Sequence, residues 1–293
     1  MMAAIAVTGA SGLVARHLIP ELLREGHTVR GLSRSAPQNT SGGTADGFQL
    51  IAGDVRDGEA VRRALNGAAS VIHLAASFSP DDQIADIVLR GTAQVLAVCH
   101  ETTIKRLVYL SCLGADAGAH SAFLQAKWKA ETLIRGSDVP HTILRASTIL
   151  GRGSLRPLAD MARSAPAIPV PGDGRGRVQP IDVADVVRCL ASALGDDNLE
   201  GEVVPVGGPM YLTFRQLVDL VAGEVGAVKP KLLVPWRLIP AVTSFLPAPA
   251  RRLYAEPRTA LFRAGVVASP GIIERNFGFQ ASSVLPGMAG YIA

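Results

Sequence analysis

The residues whose types and spacing could do chemistry begin at position 8. Thr8, Gly9, Ala10, Ser11, Gly12, Leu13, Val14 and Ala15 follow a wholly apolar run, 3–7, and lead into an amphipathic stretch with Leu18, Ile19, Leu22 and Leu23. The pattern predicts strand, glycine turn and helix. Gly9 lets the chain turn sharply, and Gly12 lets backbone N–H groups approach a pyrophosphate with no Cβ in the way. Ala15 takes the third small position, where helix and sheet press together. A helix over 12–24 then aims its N-terminal dipole and free N–H groups at phosphate. Dinucleotide binding follows, with Thr8, Gly9, Ser11, Gly12, Leu13 and Val14 as the contacts. The bland alternative is a glycine turn with no ligand, and the buried strand before it and the helix after it argue against that.

Three later stretches fit the same ligand. The strand expected over 28–33 ends Leu32-Ser33-Arg34 with no acid. An acid at that point would bind the 2′-hydroxyl of NAD, whereas a basic residue accommodates the 2′-phosphate of NADP. A charge-assisted contact from Arg34 to phosphate is worth roughly 1.5–3 kcal/mol, on the order of tenfold to a hundredfold in affinity. NADP(H) is therefore the expected cofactor, Arg30 and Arg16 are weaker candidates for the same role, and a solvated loop arginine is the alternative. A strand over 48–53 delivers Asp54 and Val55, whose carboxylate could accept from the adenine amino group. A strand over 69–74 ends His73-Leu74-Ala75-Ala76, where Leu74, Ala75 and Ala76 leave room for the adenosine half. His73 reads as a packed, hydrogen-bonded histidine and not as a catalyst.

These stretches need elements to position them. Helices are expected over 57–65, 82–101 and 121–135, and strands over 106–111 and 141–147. Six strands separated by helices make an α/β fold, a doubly wound parallel sheet of Rossmann type, with its ligand outside the C-terminal strand ends. A last strand over 202–207 returns to the sheet. The expected division is a dinucleotide-binding domain, 1–152, to which 178–207 return, and a smaller C-terminal substrate-binding domain, 153–293. In the latter, Thr213 caps a helix to about 225, and 231–234, 236–246 and 250–262 build a lid. Trp236, Phe245, Leu246 and Phe262 are candidate walls of an apolar pocket.

Composition bounds the function. Apolar residues make up 48% and charged residues 18% of 293 positions, which describes a well-buried chain and not a disordered one. The net charge of +4 comes from scattered basic residues without aromatic interleaving, so nucleic acid is not an expected partner. Cys99, Cys112 and Cys189 are far apart and the six histidines isolated, so no metal site is expected. Unpaired cysteines point to a reducing, cytoplasmic location. The most hydrophobic late stretch, 232–249, is interrupted by Arg237 and several prolines and cannot be one spanning helix; peripheral membrane association stays open. The greasy lid argues against a nucleotide-sugar substrate, although Arg152, Arg156, Arg175 and Arg177 leave that class open.

T-G-A-S-G-L-V-A, G-D-V-R-D, H-L-A-A, V-Y-L-S, L-R-A-S-T-I-L-G-R-G and P-G-D-G-R-G-R-V-Q-P-I-D-V-A-D-V-V occur in an order that resembles the extended and atypical short-chain dehydrogenases/reductases. The similarity covers about 210 residues and looks closest to the branch of NmrA-like proteins and complex I accessory-subunit relatives. The resemblance implies a Tyr-x-x-x-Lys pair and a serine or threonine after the fifth strand. The lysine matches as Lys127, but the tyrosine position is Phe123, and a phenyl ring exchanges no proton. Ser111 is either a strand-end hydrogen-bonding residue or a substrate contact, and the position two residues on, where many relatives carry the hydroxyl, is Leu113. By resemblance, Lys127 and Ser111 are the catalytic candidates, Lys127, Ser147, Thr148 and Ile149 hold the nicotinamide end, and Leu113, Phe123 and Trp236 shape the substrate pocket. Lys127 is either the acid itself or a ribose clamp without catalysis.

The resulting expectation is an NADP(H)-dependent reductase of a hydrophobic, polyketide-, quinone- or isoprenoid-like molecule, a monomer or homodimer. Its rivals are a non-catalytic NADP(H)-binding redox sensor or structural subunit, and a non-redox isomerase or cyclase using the same pocket.

Overall fold

The structure, a computed structural model, describes residues 3–35, 47–76, 84–254 and 256–293. Its centre is β1 (Ala4–Thr8), in which Ile5, Ala6 and Val7 point alternately to the two faces and are all buried. A strand covered on both faces has no use for alternating polar residues, which is why the run is continuous. Strands β2 (Thr28–Ser33), β3 (Phe48–Ala52), β4 (Ser70–His73), β5 (Arg106–Cys112) and β6 (His141–Ala146) follow in sequence. Four short strands come next: β7 (Ile149–Leu150), β8 (Ile168–Pro171), β9 (Arg177–Val178) and β10 (Ile181–Asp182). Then β11 (Val203–Val206) returns to pair with β6. Among the described residues the seven long strands form one sheet in the order β11-β6-β5-β4-β1-β2-β3, every pairing parallel. The order reverses between β1 and β4, which is where a doubly wound sheet opens a crevice for ligand.

Two helical layers cover the sheet. On one face α2 (Gly58–Leu65), α3 (Ile84–Glu101) and α4 (Ala122–Arg135) share a core with Leu107, Tyr109 and Ile143. On the other, α1 (Leu13–Arg24) and α6 (Val183–Ser192) bury Leu18, Leu22, Val186 and Leu190 against Ile5, Val7 and Leu144. Helices expected to start at Asp57 and Ser121 each begin one residue later, because those side chains are caps: they accept from the N–H groups of Glu59 and Leu124, as Asp182 does from Ala184 at the start of α6. The first two residues of the helix expected over 82–101 lie outside the described residues.

A separate core gathers the later chain. It contains α5 (Arg156–Ser164), β8, β12 (Leu212–Thr213), α7 (Phe214–Glu224), β13 (Lys231–Val234), α8 (Ile239–Thr243), α9 (Ala248–Leu253) and α10 (Glu256–Ala264), with α12 (Met288–Ile292). Between the last two, α11 (Ile272–Phe277) packs back on the α6 side of the main sheet. Thr213 and Gln216 form a reciprocal capping box at the start of α7. The stretch 250–262 was expected as one unit and is instead two helices. The first, α9, stops at Leu253, and α10 starts at Glu256.

Candidate functional site

A cavity of about 600 Å³ runs along the C-terminal ends of β1 to β6 and on into the second core. It starts at the glycine turn. Gly9 has φ +72°, and a Cβ there would come within 3.0 Å of the Ala75 backbone, so turn and β4 end touch with no side chain between them. Gly12 is the N-cap of α1; it supplies no capping side chain, and the first turn carries no acid. The Gly12 N–H bonds the Gly9 carbonyl at 2.9 Å and the Arg16 N–H the Gly12 carbonyl at 3.0 Å, so the N–H groups of Leu13, Val14 and Ala15 have neither intrahelical nor side-chain acceptors. This donor set fits a pyrophosphate. Gly9, Ser11, Gly12, Leu13 and Val14 all line the cavity.

Thr8 does not. Its hydroxyl is fully buried, 2.6 Å from His73 Nδ1, and accepts from the Ala75 N–H at 3.2 Å. Thr92 donates to the Val88 carbonyl at 2.7 Å, so its oxygen accepts from His73 Nε2, leaving Nδ1 to accept from Thr8. Burial and the Lys127 charge push the His73 pKa down to about 3, which keeps the ring neutral. The expected contact at Thr8 is corrected to a strut joining the turn to β4, and His73 is the packed histidine of the sequence reading.

At the end of β2 the cavity is bordered by Ser33, Arg34 and Ser35, with Arg16 across from them on α1. Ser35 N–H donates to Ser33 Oγ at 3.1 Å, and Ser33 donates to Ser11 Oγ at 2.9 Å. Arg30 is spent elsewhere, on Gln49 and on the Ala64 and Arg63 carbonyls that close α2. Asp54 and Val55 line the neighbouring wall, as do Leu74, Ala75 and Ala76. Asp54 faces Arg56 with both oxygens, at 2.8–3.0 Å, and this hydrogen-bonded guanidinium holds its carboxyl below the usual range. Ser33 and Ser35 were missed in the sequence; their only signal was that they flank Arg34.

Lys127 sits midway along the cavity. It is 4% exposed, donates from Nζ to the Leu110 carbonyl at 2.8 Å, and lies 4.6 Å from the Tyr109 ring centre and 6.0 Å from that of Phe123. Burial pushes its pKa down to about 8, against a smaller upward pull from Cys112 and Glu131. Ser111 borders the cavity beside it, but the hydroxyl donates to Glu131. Glu131 is fully buried and also accepts from Arg145 Nε at 3.0 Å and Nη2 at 2.6 Å. A carboxylate only accepts, so the Ser111 hydrogen is committed and its oxygen presents lone pairs to the cavity. Ser147, Thr148 and Ile149 complete this region.

Of the three expected substrate-pocket residues only Phe123 borders the cavity. Leu113 is buried: its N–H still bonds the Ala146 carbonyl at 2.9 Å, so it belongs to the packed end of β5. Trp236 lies over Gly172, where an added Cβ would meet its indole at 2.6 Å, with Arg263 5.8 Å from the ring. It braces the second core away from the cavity. Phe245 is 90% exposed and walls nothing. The walls are Leu155, Leu158, Phe214, Leu217, Leu253 and Phe262, from α5, α7, α9, α10 and the loop before α5. Of the expected walls Phe262 lines the cavity and Leu246 does not; Leu217 was visible only as an apolar position, since nothing local told which face of α7 would meet the cavity. Among the described residues no group of His, Cys, Asp or Glu could hold a metal ion, and no helix is long and apolar enough to cross a membrane.

The profile of a family described as NAD(P)H-binding matches residues 9–196, the stretch that builds the glycine turn, the sheet and Lys127. The chain belongs to this NAD(P)H-binding family. Its place among the atypical short-chain dehydrogenases/reductases agrees with its relatives. Subunit 9 of the NADH dehydrogenase [ubiquinone] 1 alpha subcomplex from Arabidopsis thaliana is 28% identical over 228 residues, 73% of this chain and 56% of that protein. Sterol demethylase protein B of Methylococcus capsulatus is 26% identical over 289 residues, 87% of this chain and 84% of that protein. The chain spans about a quarter of the length of the uncharacterised Mycobacterium bovis protein that it matches at 31% identity. The fold of this NAD(P)H-binding protein is also that of UDP-glucose 4-epimerase from Thermotoga maritima, with a TM-score of 0.74 at 19% identity over 99% of this chain and 96% of that one.

Proposed function

We propose that the protein is an NADP(H)-dependent reductase of a hydrophobic small molecule, polyketide-, quinone- or isoprenoid-like, and that residues 153–293, apart from 178–207, form its substrate-binding part. The observation that carries this reading is the change of character along one continuous cavity. One end offers backbone donors, serines and Arg34; the other offers mostly leucines and phenylalanines, with Arg152 and Ser154 just before Leu155; Lys127 stands between them. The end of β2 carries Ser33-Arg34-Ser35 and no acid, which supports NADP(H) over NAD(H). A relative named as a sterol demethylase protein supports an apolar substrate. The cysteines are free and buried, in keeping with a reducing compartment.

Bound at the glycine turn, the cofactor would supply a hydride. The chain's own residues do the rest. The first turn of α1 takes the pyrophosphate, and Arg34 with the serines takes the 2′-phosphate. Ser147, Thr148 and Ile149 border the nicotinamide end. The Lys127 ammonium has three donors, of which one goes to the Leu110 carbonyl, so the others serve the ribose and the substrate. With a pKa near 8 it is charged at neutral pH and close to the value at which a proton is given up easily. Ser111, whose hydrogen goes to Glu131, has only lone pairs left for a ligand and cannot polarise a carbonyl, and Phe123 shapes the pocket and moves no proton.

A second reading has its own observation. Phe123 and the committed Ser111 together leave two of the three usual polar roles empty, which favours an NADP(H)-binding sensor or structural subunit. Calorimetric titration with NADPH, NADP⁺ and NADH is the first test. NADPH preference lost in Arg34→Ala supports the cofactor assignment; equal binding of NADPH and NADH counts against it. Turnover of NADPH with quinone or enone acceptors, abolished in Lys127→Ala, separates enzyme from sensor.

A further inference from the structure

Among the described residues nine large apolar side chains are exposed, and five of them, Val228, Leu232, Leu233, Leu238 and Phe245, fall within 228–245. Val228 is 97% exposed and Phe245 90%. A soluble chain scatters such residues singly, so this concentration asks for a partner. The segment is held in one place. Strand β13 pairs with β8, its adjacent Leu232 and Leu233 pointing to opposite sides, and α8 packs against β8 and against the turn 236–238. In α8, Ile239 and Thr243 are buried one turn apart, so Leu238, Ala241 and Phe245 fall on the opposite, outward side. The helical backbone continues through Ser244, which extends that outward row to Phe245.

The charge is as uneven as the hydropathy. From 225 to 255 the chain carries Lys229, Lys231, Arg237, Arg251 and Arg252 and no aspartate or glutamate. Lys231 is paired with Asp219 of α7. Arg237 and Arg251 are exposed. Exposed leucine, valine and phenylalanine interleaved with Arg237 and Arg251, with the facing acids Asp219, spent on Lys231, and Asp173 on neighbouring elements, match an anionic lipid surface: the rings and methyls enter the headgroup boundary while the arginines meet phosphates.

We propose that 228–252 is a docking surface for an anionic phospholipid bilayer, on which the protein lies without spanning it. The same segment ends in α9, whose Leu253 borders the apolar end of the cavity. Docking thus brings the mouth of that chamber to the phase in which an apolar substrate dissolves. The docking itself does not depend on which cofactor or substrate the cavity holds.

The test is flotation of the full chain with vesicles of phosphatidylcholine alone and of phosphatidylcholine with phosphatidylglycerol. The expected result is association with the anionic vesicles, weakened by salt. Phe245→Ser should weaken it about tenfold or more, because a whole aromatic side chain no longer leaves water. Arg237→Glu should weaken it about fivefold or more through the lost contact with anionic headgroups. Both positions are exposed, so neither variant should unfold the chain, and unchanged NADPH titration and thermal melting confirm that. No flotation at low salt overturns the proposal, as does flotation unchanged in both variants. A concentration-dependent dimer in sedimentation velocity, lost in Phe245→Ser and without vesicle binding, also overturns it and assigns the face to a second copy of the chain.

Discussion

The two halves of the cavity are built in opposite ways. The nucleotide half comes from a few short segments at strand ends, and its donors are mostly backbone N–H groups and small side chains. The apolar half comes from side chains on α5, α7, α9 and α10, more than a hundred residues apart at the extremes. A phosphate site made of backbone constrains sequence through what must be absent, a Cβ at Gly9 and Gly12. An apolar wall constrains it only through volume, which many residue combinations satisfy. One half therefore speaks to cofactor class and the other only to polarity of the substrate.

The sharpest way to test that division is at the joint. Lys127→Ala should lower turnover by ~10²–10⁴-fold, the usual worth of a placed acid. If Lys127 is the proton source, activity falls as pH rises through about 8. Folding is linked to the same group with the opposite sign. The native lysine binds fewer protons than the unfolded one between about 8 and its ordinary 10.5, so stability rises with pH across that window. Urea unfolding at several pH values should show this rise in the wild type, and a weaker one in Lys127→Met. Activity that is flat through pH 8 would leave Lys127 as a clamp.

On the nucleotide side, Arg34→Ala should weaken NADPH about tenfold to a hundredfold and leave NADH unchanged. Equal losses for both would place Arg34 away from the 2′-phosphate. On the apolar side, Phe262→Leu removes an edge-to-face contact with Phe214, whose ring centre is 4.8 Å away. An aromatic pair is worth about 1 kcal/mol beyond its buried area, so the variant should be less stable by about that much, and KM for an apolar acceptor should rise because the wall at Phe262 recedes. Calorimetric affinity for NADPH should not move; a change there would show the halves to be coupled.

How far the sequence reaches follows from the same contrast. Strand–turn–helix at 3–24, the strand ends at Arg34, Asp54 and Ala75, and the lysine helix are local patterns, and the structure puts those residues on one cavity. Caps at Asp57 and Ser121 shift helix starts by a single residue because the capping side chain stands outside the helix that it closes. Leu113 and Trp236 misled for another reason. Both are apolar residues near the cavity in the chain, and only the tertiary arrangement decides that one closes β5 and the other covers Gly172. The commitment of Ser111 was equally hidden, since Glu131 lies twenty residues on and Arg145 on the next strand.

Phe123→Tyr carries a small expected effect and the most specific one. The ring is 3% exposed, packed with Cys112, Leu124 and Ala260, and it borders the cavity with Lys127 Nζ 6.0 Å from its centre. A hydroxyl added there would stand beside a cation that lowers a phenol's pKa, as a catalytic tyrosine requires. Groups that act as a unit do not restore activity singly, and Ser111 still donates to Glu131. NADPH-dependent reduction of a simple ketone should therefore gain less than about tenfold. Coupling with Glu131→Gln, whose amide can donate to Ser111 and free its hydroxyl to turn to the cavity, should raise the gain beyond the sum of the two changes. If neither the single nor the double variant gains ketone reduction while melting and NADPH affinity hold, position 123 does not face the reacting carbon, and the apolar half admits its substrate from another side.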